Sequence, residues 1–199
     1  KGIIELSGDV SVSNVKNQGI YLGDEKTGDT LKANNITVSG VVSGNGIYAR
    51  FKTSKVETTG NVDISATGQN AITNAGTFHV GGNINIHDIT SGYNGLRNDG
   101  SGNMNVTGDV VITNISGTTA DKGRGNALTS NGKVTVGGNV TISGVTTSGN
   151  TDNTSNNAIN GSGVITVGGN VTVTDAVAAG HGAFLDQGKL LVTGNIEIN

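Results

Sequence analysis

A phrase of nine residues recurs along this chain. Val134-Thr135-Val136-Gly137-Gly138-Asn139-Val140-Thr141-Ile142 returns as Ile165-Thr166-Val167-Gly168-Gly169-Asn170-Val171-Thr172-Val173, and again as Phe78-His79-Val80-Gly81-Gly82-Asn83-Ile84-Asn85-Ile86. Internal repetition constrains a fold strongly, because each copy is one unit that buries its apolar face only against its neighbours. Looser copies put Asn or Asp at the same point. The anchors are Asp9, Asn35, Asn61, Asn83, Asp109, Asn139, Asn170 and Asn195, spaced by 26, 26, 22, 26, 30, 31 and 25 residues. Between them lies a small residue followed by a large apolar one: Gly19-Ile20, Gly46-Ile47, Ala71-Ile72, Gly95-Leu96, Ala127-Leu128, Ala158-Ile159 and Ala183-Phe184. The distance from that apolar residue to the next anchor is 11 in four of seven cases, so the minimal unit is 22 residues.

Around each anchor apolar residues alternate with period two, as in Val134, Val136, then Val140, Ile142. That is the pattern of strands with one buried face. Two strands meet at Gly-Gly-Asn and a third carries the small–apolar pair. The fold expected is all-β: a right-handed, three-sided parallel β-helix of about eight rungs of 22 or more residues, with Val136, Val140, Ile142, Ile159, Val167, Val171 and Val173 pointing inward. An antiparallel sandwich is the alternative, built on hairpin pairs such as Asn131-Gly132 and Asn160-Gly161. The anchors are expected to form one column, their amides tolerating left-handed backbone angles, bonding the neighbouring backbone and stacking between rungs.

Composition agrees. Half of the 199 residues are Gly, Asn, Thr or Ser, and aromatic residues are only 3%. Gly, Thr, Asn and Val are poor helix formers, which excludes helical bundles and ordinary α/β enzymes. The 22 Val and 17 Ile argue against disorder. The net charge is −3 with no basic run, so nucleic acid is not an expected partner. No apolar stretch approaches a bilayer span, so this segment is not expected to insert in a membrane. There is no Cys for a disulfide or thiolate site, and no Pro to interrupt strand ladders.

Little chemistry is visible on this scaffold, and neither catalysis nor a cofactor or metal is expected. His79, His87 and His181 lack metal-ligand spacing. Asp88 and Asp175 share an offset of five after the anchor but lie three rungs apart. Glu57 and Asp63 flank one corner without a matching neighbour. Asp121 and Asp152 sit in long loops of adjacent rungs. Asp24-Glu25 and Asp152-Asn153 are weak candidates for a hard cation. The outward row Ser11, Thr37, Asp63, Asn85, Val111, Thr141, Thr172, Glu197 is too irregular and charged for an ice-binding array. What stands out is added length. The anchor-to-apolar distance grows from 11 to 19 and 20 in copies five and six, near Ser116–Gly125 and Thr146–Asn156. Insertions on one edge of a solenoid often mark its binding face, which singles out Asp121, Lys122, Arg124, Asp152 and Asn153 as candidate contacts for a polar ligand.

Repeats such as Gly138-Asn139-Val140-Thr141-Ile142-Ser143 and Asn156-Asn157-Ala158-Ile159-Asn160, without Cys or Pro, resemble the passenger domains of Gram-negative autotransporter adhesins and haemagglutinin-like secreted proteins. The resemblance spans nearly the whole chain. It implies a non-enzymatic adhesin fibre at the cell surface or secreted, outside the outer membrane, that contacts glycans or proteins of host or bacterial cells and is capable of self-association. A structural spacer without its own ligand is the alternative, and a polysaccharide-acting enzyme a distant third. Residues 1–199 read as one β-helical segment with no second domain. Gly194-Asn195-Ile196 opens a rung that is not completed, so a fragment of a longer passenger is the expectation.

Overall fold

A computed structural model of the chain describes residues 2–90, 93–117, 125–147, 157–178 and 184–199. The described residues form strands and turns only. The strands fall into three parallel sheets, each collecting every third strand, so the chain winds as a β-solenoid. The first sheet has eight strands, from Ile3–Glu5 through Lys133–Val136 to Lys189–Val192. The second has eight, from Val10–Ser13 through Val140–Thr147 to Ile196–Ile198. The third has seven, from Ile20–Leu22 to Phe184–Asp186. Parallel pairing throughout excludes the antiparallel sandwich.

The register places like residues over like. In the first sheet Leu31, Val56, Phe78, Met104, Val134 and Ile165 succeed one another. In the second, Val38, Ile64, Ile86, Ile112, Ile142 and Val173 do the same. Ile47, Ile72, Leu96, Leu128 and Ile159 form the column of the third. All of these are buried, as are Val136, Val140, Val167 and Val171. The core is therefore a set of aliphatic columns, each residue removed from water by the turn above and the turn below.

The corner between the first and second sheets is held by the anchor residues. The backbone N–H of Asn35 donates to Oδ1 of Asp9 at 3.1 Å, and that of Asn61 to Asn35 at 2.7 Å. Asn83, Asp109, Asn139, Asn170 and Asn195 continue the chain, each donating its N–H to the preceding anchor's Oδ1 at 2.7–2.8 Å. A side-chain oxygen is all this ladder needs, so Asp9 and Asp109 serve as well as Asn. The residue before most anchors is Gly for a steric reason. A Cβ at Gly60, Gly82, Gly108, Gly138, Gly169 or Gly194 would strike the Oδ1 of the anchor one turn earlier.

Left-handed backbone angles do not fall on the anchors, contrary to expectation. Apart from Gly28 and Gly161, positive φ angles fall five residues later, at Asn14 (φ 54°), Gly40 (64°), Ala66 (49°), Asp88 (59°), Asn114 (56°), Gly144 (64°) and Asp175 (51°). Each bends its second-sheet strand like a β-bulge. In Ile84–Ile89 the exposure pattern shows the effect: His87 and Asp88 both face outward, after which Ile89 returns to the core. The anchors themselves are not among the residues with positive φ; their work is to accept a hydrogen bond from the next turn.

Candidate functional site

The two long insertions leave and re-enter the solenoid at stacked positions. Strands Val110–Gly117 and Val140–Thr147 pair to their ends, with Ser116 beside Thr146 and Gly117 beside Thr147. The next strand, Val171–Ala178, continues the stack, setting Val177 beside Thr146 and Ala178 beside Thr147. Three consecutive turns thus end their second-sheet strands in register at one corner. The inserted candidates Asp121, Lys122, Arg124, Asp152 and Asn153 lie outside the described residues, as does His181. The described part of this edge is its stems.

The re-entry stems are fixed by a second ladder, this one buried. Gln18 and Asn45, Asn70, Asn94, Asn126 and Asn157 each stand two residues before the large apolar residue of the third sheet. Asn45 donates its N–H and its Nδ2 to Oε1 of Gln18, at 2.8 and 3.1 Å. Nδ2 of Asn70 donates to Oδ1 of Asn45. Asn94 donates N–H and Nδ2 to Oδ1 of Asn70 at 2.9 and 3.0 Å, and Asn126 does so to Asn94 at 3.2 and 3.1 Å. The N–H of Asn157 donates to Oδ1 of Asn126 at 2.7 Å. The five Asn are all buried. Buried amides that find partners on both sides remove the desolvation cost of placing polar groups in a core. Asn126 and Asn157 follow the insertions closely in sequence, so this ladder sets where the chain rejoins the third sheet.

Sequence reasoning missed this column. Its signal was present, since an Asn at a constant offset before Ala-Ile or Gly-Leu is a repeat position of its own.

A second exposed feature is a groove of about 870 Å³ where the early first-sheet strands turn toward the second, lined by Glu5, Leu6, Lys32, Asn34, Glu57 and His79 among others. Glu5, Lys32, Glu57 and His79 occupy one outward column. Nζ of Lys32 lies 2.8 Å from Glu5 and 3.9 Å from Glu57, and Nζ of Lys55 lies 2.7 Å from Glu57. The hydrogen bond and charge of Lys32 hold the Glu5 carboxyl below its usual range and Glu5 raises Lys32 in return. The charges cancel pairwise. Exposed pairs of this kind add little stability.

The third feature surrounds His87. Its Nδ1 is 2.8 Å from Oδ2 of Asp88 and its Nε2 is 3.4 Å from Oδ1 of Asp63. Asn85 donates to Asp63 at 2.8 Å and Asn114 to Asp88 at 3.0 Å. The hydrogen bond to Asp88, with the charges of both acids, raises the His87 pKa against a smaller opposing effect of burial. The left-handed turn at Asp88 creates this pair by turning two successive side chains outward. Asp88 and Asp175, equal in offset, are separated in their column by Asn114 and Gly144. At one strand spacing per turn that is about 14 Å, wider than the separation of two carboxylates acting on one glycosidic bond. Glu57 and Asp63 face different partners: two lysines for the former, His87 and Asn85 for the latter. Oxygens of Asp24 are engaged by the N–H groups of Lys26 and Thr27 and the Thr27 hydroxyl. Among the described residues, no group of three or more His, Cys, Asp or Glu is placed to hold a metal ion.

The chain matches no family model, no curated protein and no solved structure. The fold and the geometry of these three surfaces are therefore the grounds for a functional reading.

Proposed function

We propose that this chain is a non-enzymatic shaft segment of an extracellular adhesin, of the kind its repeats resemble in autotransporter passengers and haemagglutinin-like secreted proteins. It holds a polar loop edge toward a glycan or protein on a host or neighbouring bacterial cell. The observation that supports this reading is the stacking of the loop stems. Strands ending at Gly117, Thr147 and Ala178 are paired side by side, and the returns at Asn126 and Asn157 are joined by a hydrogen bond. Binding residues are commonly carried on loops over rigid scaffolds, and two ladders on either side of this corner supply the rigidity.

The test is to remove residues 118–124 and 148–156, joining the stems with short Gly-Ser turns. Beads coated with the shortened chain should lose attachment to target cells while circular dichroism and melting stay near those of the parent. Attachment that survives the removal rejects the loop edge as the binding site.

A further inference from the structure

The sequence has three Tyr and three Phe, and half of these six rings lie together at one place. Tyr21 and Tyr48 are neighbours in the outward column of the third sheet. Their ring centroids are 5.6 Å apart with planes tilted by 51°. Tyr21 is 48% exposed, and Tyr48 is half-buried. Arg50 donates from Nη1 to the Tyr21 hydroxyl at 2.9 Å. Its guanidinium carbon lies 5.0 Å from the centroid of the Phe51 ring. Gly23 belongs to the same feature, because a Cβ there would run into the Tyr21 ring.

The solenoid does not require rings in this column. One and two turns further on the positions are Thr73 and Arg97, then Thr129 and Asn160. A cross-strand aromatic pair adds a little to the sheet. That does not account for an arginine locked between a phenol oxygen and a phenyl face. Of the guanidinium's five N–H donors, one is spent on Tyr21. The rest belong to an exposed cation whose orientation is already set, which is the state that lowers the entropic cost of binding an anion.

We infer that Tyr21, Tyr48 and Arg50 form a binding platform for an acidic saccharide, with the Tyr rings taking the C–H face of a pyranose and Arg50 taking its carboxylate. Protein hot spots also use Tyr and Arg, but they sit in enclosed, desolvated pockets. Here the rings lie on an open sheet face. Among the residues whose exposure is described, the other exposed large apolar ones lie outside the third-sheet strands: Ile3, Ile4, Leu6 and Leu191 belong to the first sheet or its turns, and Val42, Val177, Ile196 and Ile198 to the second or the turn after it. Flat apolar faces rimmed by polar groups complement a sugar ring, which carries C–H bonds on its faces and oxygens around its rim. Exposed Lys52 stands two residues along from Arg50, and Glu25 adds a small negative field at the guanidinium.

This platform is separate from the loop edge, and its own reporter is built in. With no Trp in the chain, tyrosine emission comes from Tyr21, Tyr48 and Tyr93. Hexagalacturonate titrated into the full chain should change that emission saturably, more weakly as salt is added. Cellohexaose, a neutral hexasaccharide, should bind at least tenfold more weakly. Tyr48→Leu and Arg50→Gln, both on the outer face, should each weaken hexagalacturonate binding about tenfold or more by calorimetry with melting unchanged. Arg50→Lys should not restore it, because an ammonium lacks the planar fork. Glu25→Gln should strengthen it. The chain lacking 118–124 and 148–156 should bind as the parent does. Absence of saturable binding, equal binding of cellohexaose, or full binding by Tyr48→Leu and Arg50→Gln overturns the proposal. Loss of binding on removing the loops alone also overturns it, assigning the saccharide to the loop edge instead.

Discussion

A buried amide that accepts from one turn and donates to another has no water to replace a lost partner. Asn126 is such a residue: it gives N–H and Nδ2 to Asn94 and accepts from Asn157, and it is 2% exposed. Asn126→Ala removes the acceptor and strands the buried N–H of Asn157, at a cost of about 1–3 kcal/mol. Asn139→Ala breaks the equivalent bond in the exposed ladder, where solvent substitutes, and should cost about 1 kcal/mol or less. Thermal melts of the two variants should therefore rank Asn126→Ala well below Asn139→Ala. Equal midpoints would contradict the assignment of the buried ladder as the stronger tie. His87 gives a residue-level prediction in pH. Its folded pKa is raised, chiefly by the hydrogen bond to Asp88, so its contribution is fully present below the unfolded value of about 6.5 and is lost as pH rises through the folded value. Asp88 is lowered, chiefly by the bond to His87, so its share is present above its unfolded value and is lost as pH falls through the folded one. Stability from the pair peaks between those limits. Comparing Tm from pH 4 to 9 for the parent and His87→Gln should show a gap that closes above neutrality. A gap that widens as pH rises would reverse the sign and reject the ion pair.

At the scale of the element, the second-sheet strand is the informative one, because it departs from simple alternation. Its left-handed residue is Asn, Gly, Ala, Asp, Asn, Gly and Asp in successive turns. No single residue type marks it, and even the shared offset of Asp88 and Asp175, visible in the sequence, did not announce a bend. The alternating apolar positions were legible because burial on one face imposes period two directly on residue type. The anchors were legible because a side-chain oxygen at a fixed corner admits only Asn or Asp, with Gly before it to leave room. The bulge was not, because a backbone angle tolerates any small or polar side chain. The loop candidates Asp121 and Asp152 were found by length alone, and the aromatic platform was not found at all, since Tyr21 and Tyr48 are 27 positions apart until the register brings them together. Ala66 is where the bend conflicts with local preference. An L-residue with a Cβ pays roughly 1–2 kcal/mol for the left-handed region, and Gly40 and Gly144 avoid that at equivalent positions. Ala66→Gly should raise the free energy of unfolding by up to about 1 kcal/mol, read from denaturant melts, after the added freedom of the unfolded chain is counted. A fall in stability would mean that the Ala66 methyl group contributes packing that outweighs the strain.

For the whole molecule, stacking one-dimensional units makes stability a matter of position. Each turn is tied to the next by a strand pair in each sheet, by aliphatic columns and by the anchor and buried amide ladders, with few contacts beyond the nearest neighbour. Middle turns have both neighbours, and Ile64, Ile86 and Ile112 are fully buried there. At the two ends, Ile4 and Ile198 occupy the corresponding inward columns yet are 56% and 53% exposed. An end turn thus gains roughly half of what a middle turn gains, while the entropy of ordering it is the same. Opening should begin at the ends and propagate inward rather than involve the chain at once. Amide hydrogen exchange followed by mass spectrometry should show slowest exchange in peptides covering the strands Val62–Thr67, Ile84–Ile89 and Val110–Gly117, with protection falling toward Ile3–Glu5 and Ile196–Ile198. The buried-ladder variant adds a second feature. Asn126→Ala should lower protection most in the turns beginning at Leu128 and Ile159, dividing the rod at that level, and leave the turns near Ile36 and Val62 close to the parent. Uniform loss along the whole rod would show that the solenoid unfolds as one cooperative block, and that nearest-neighbour ties do not govern it.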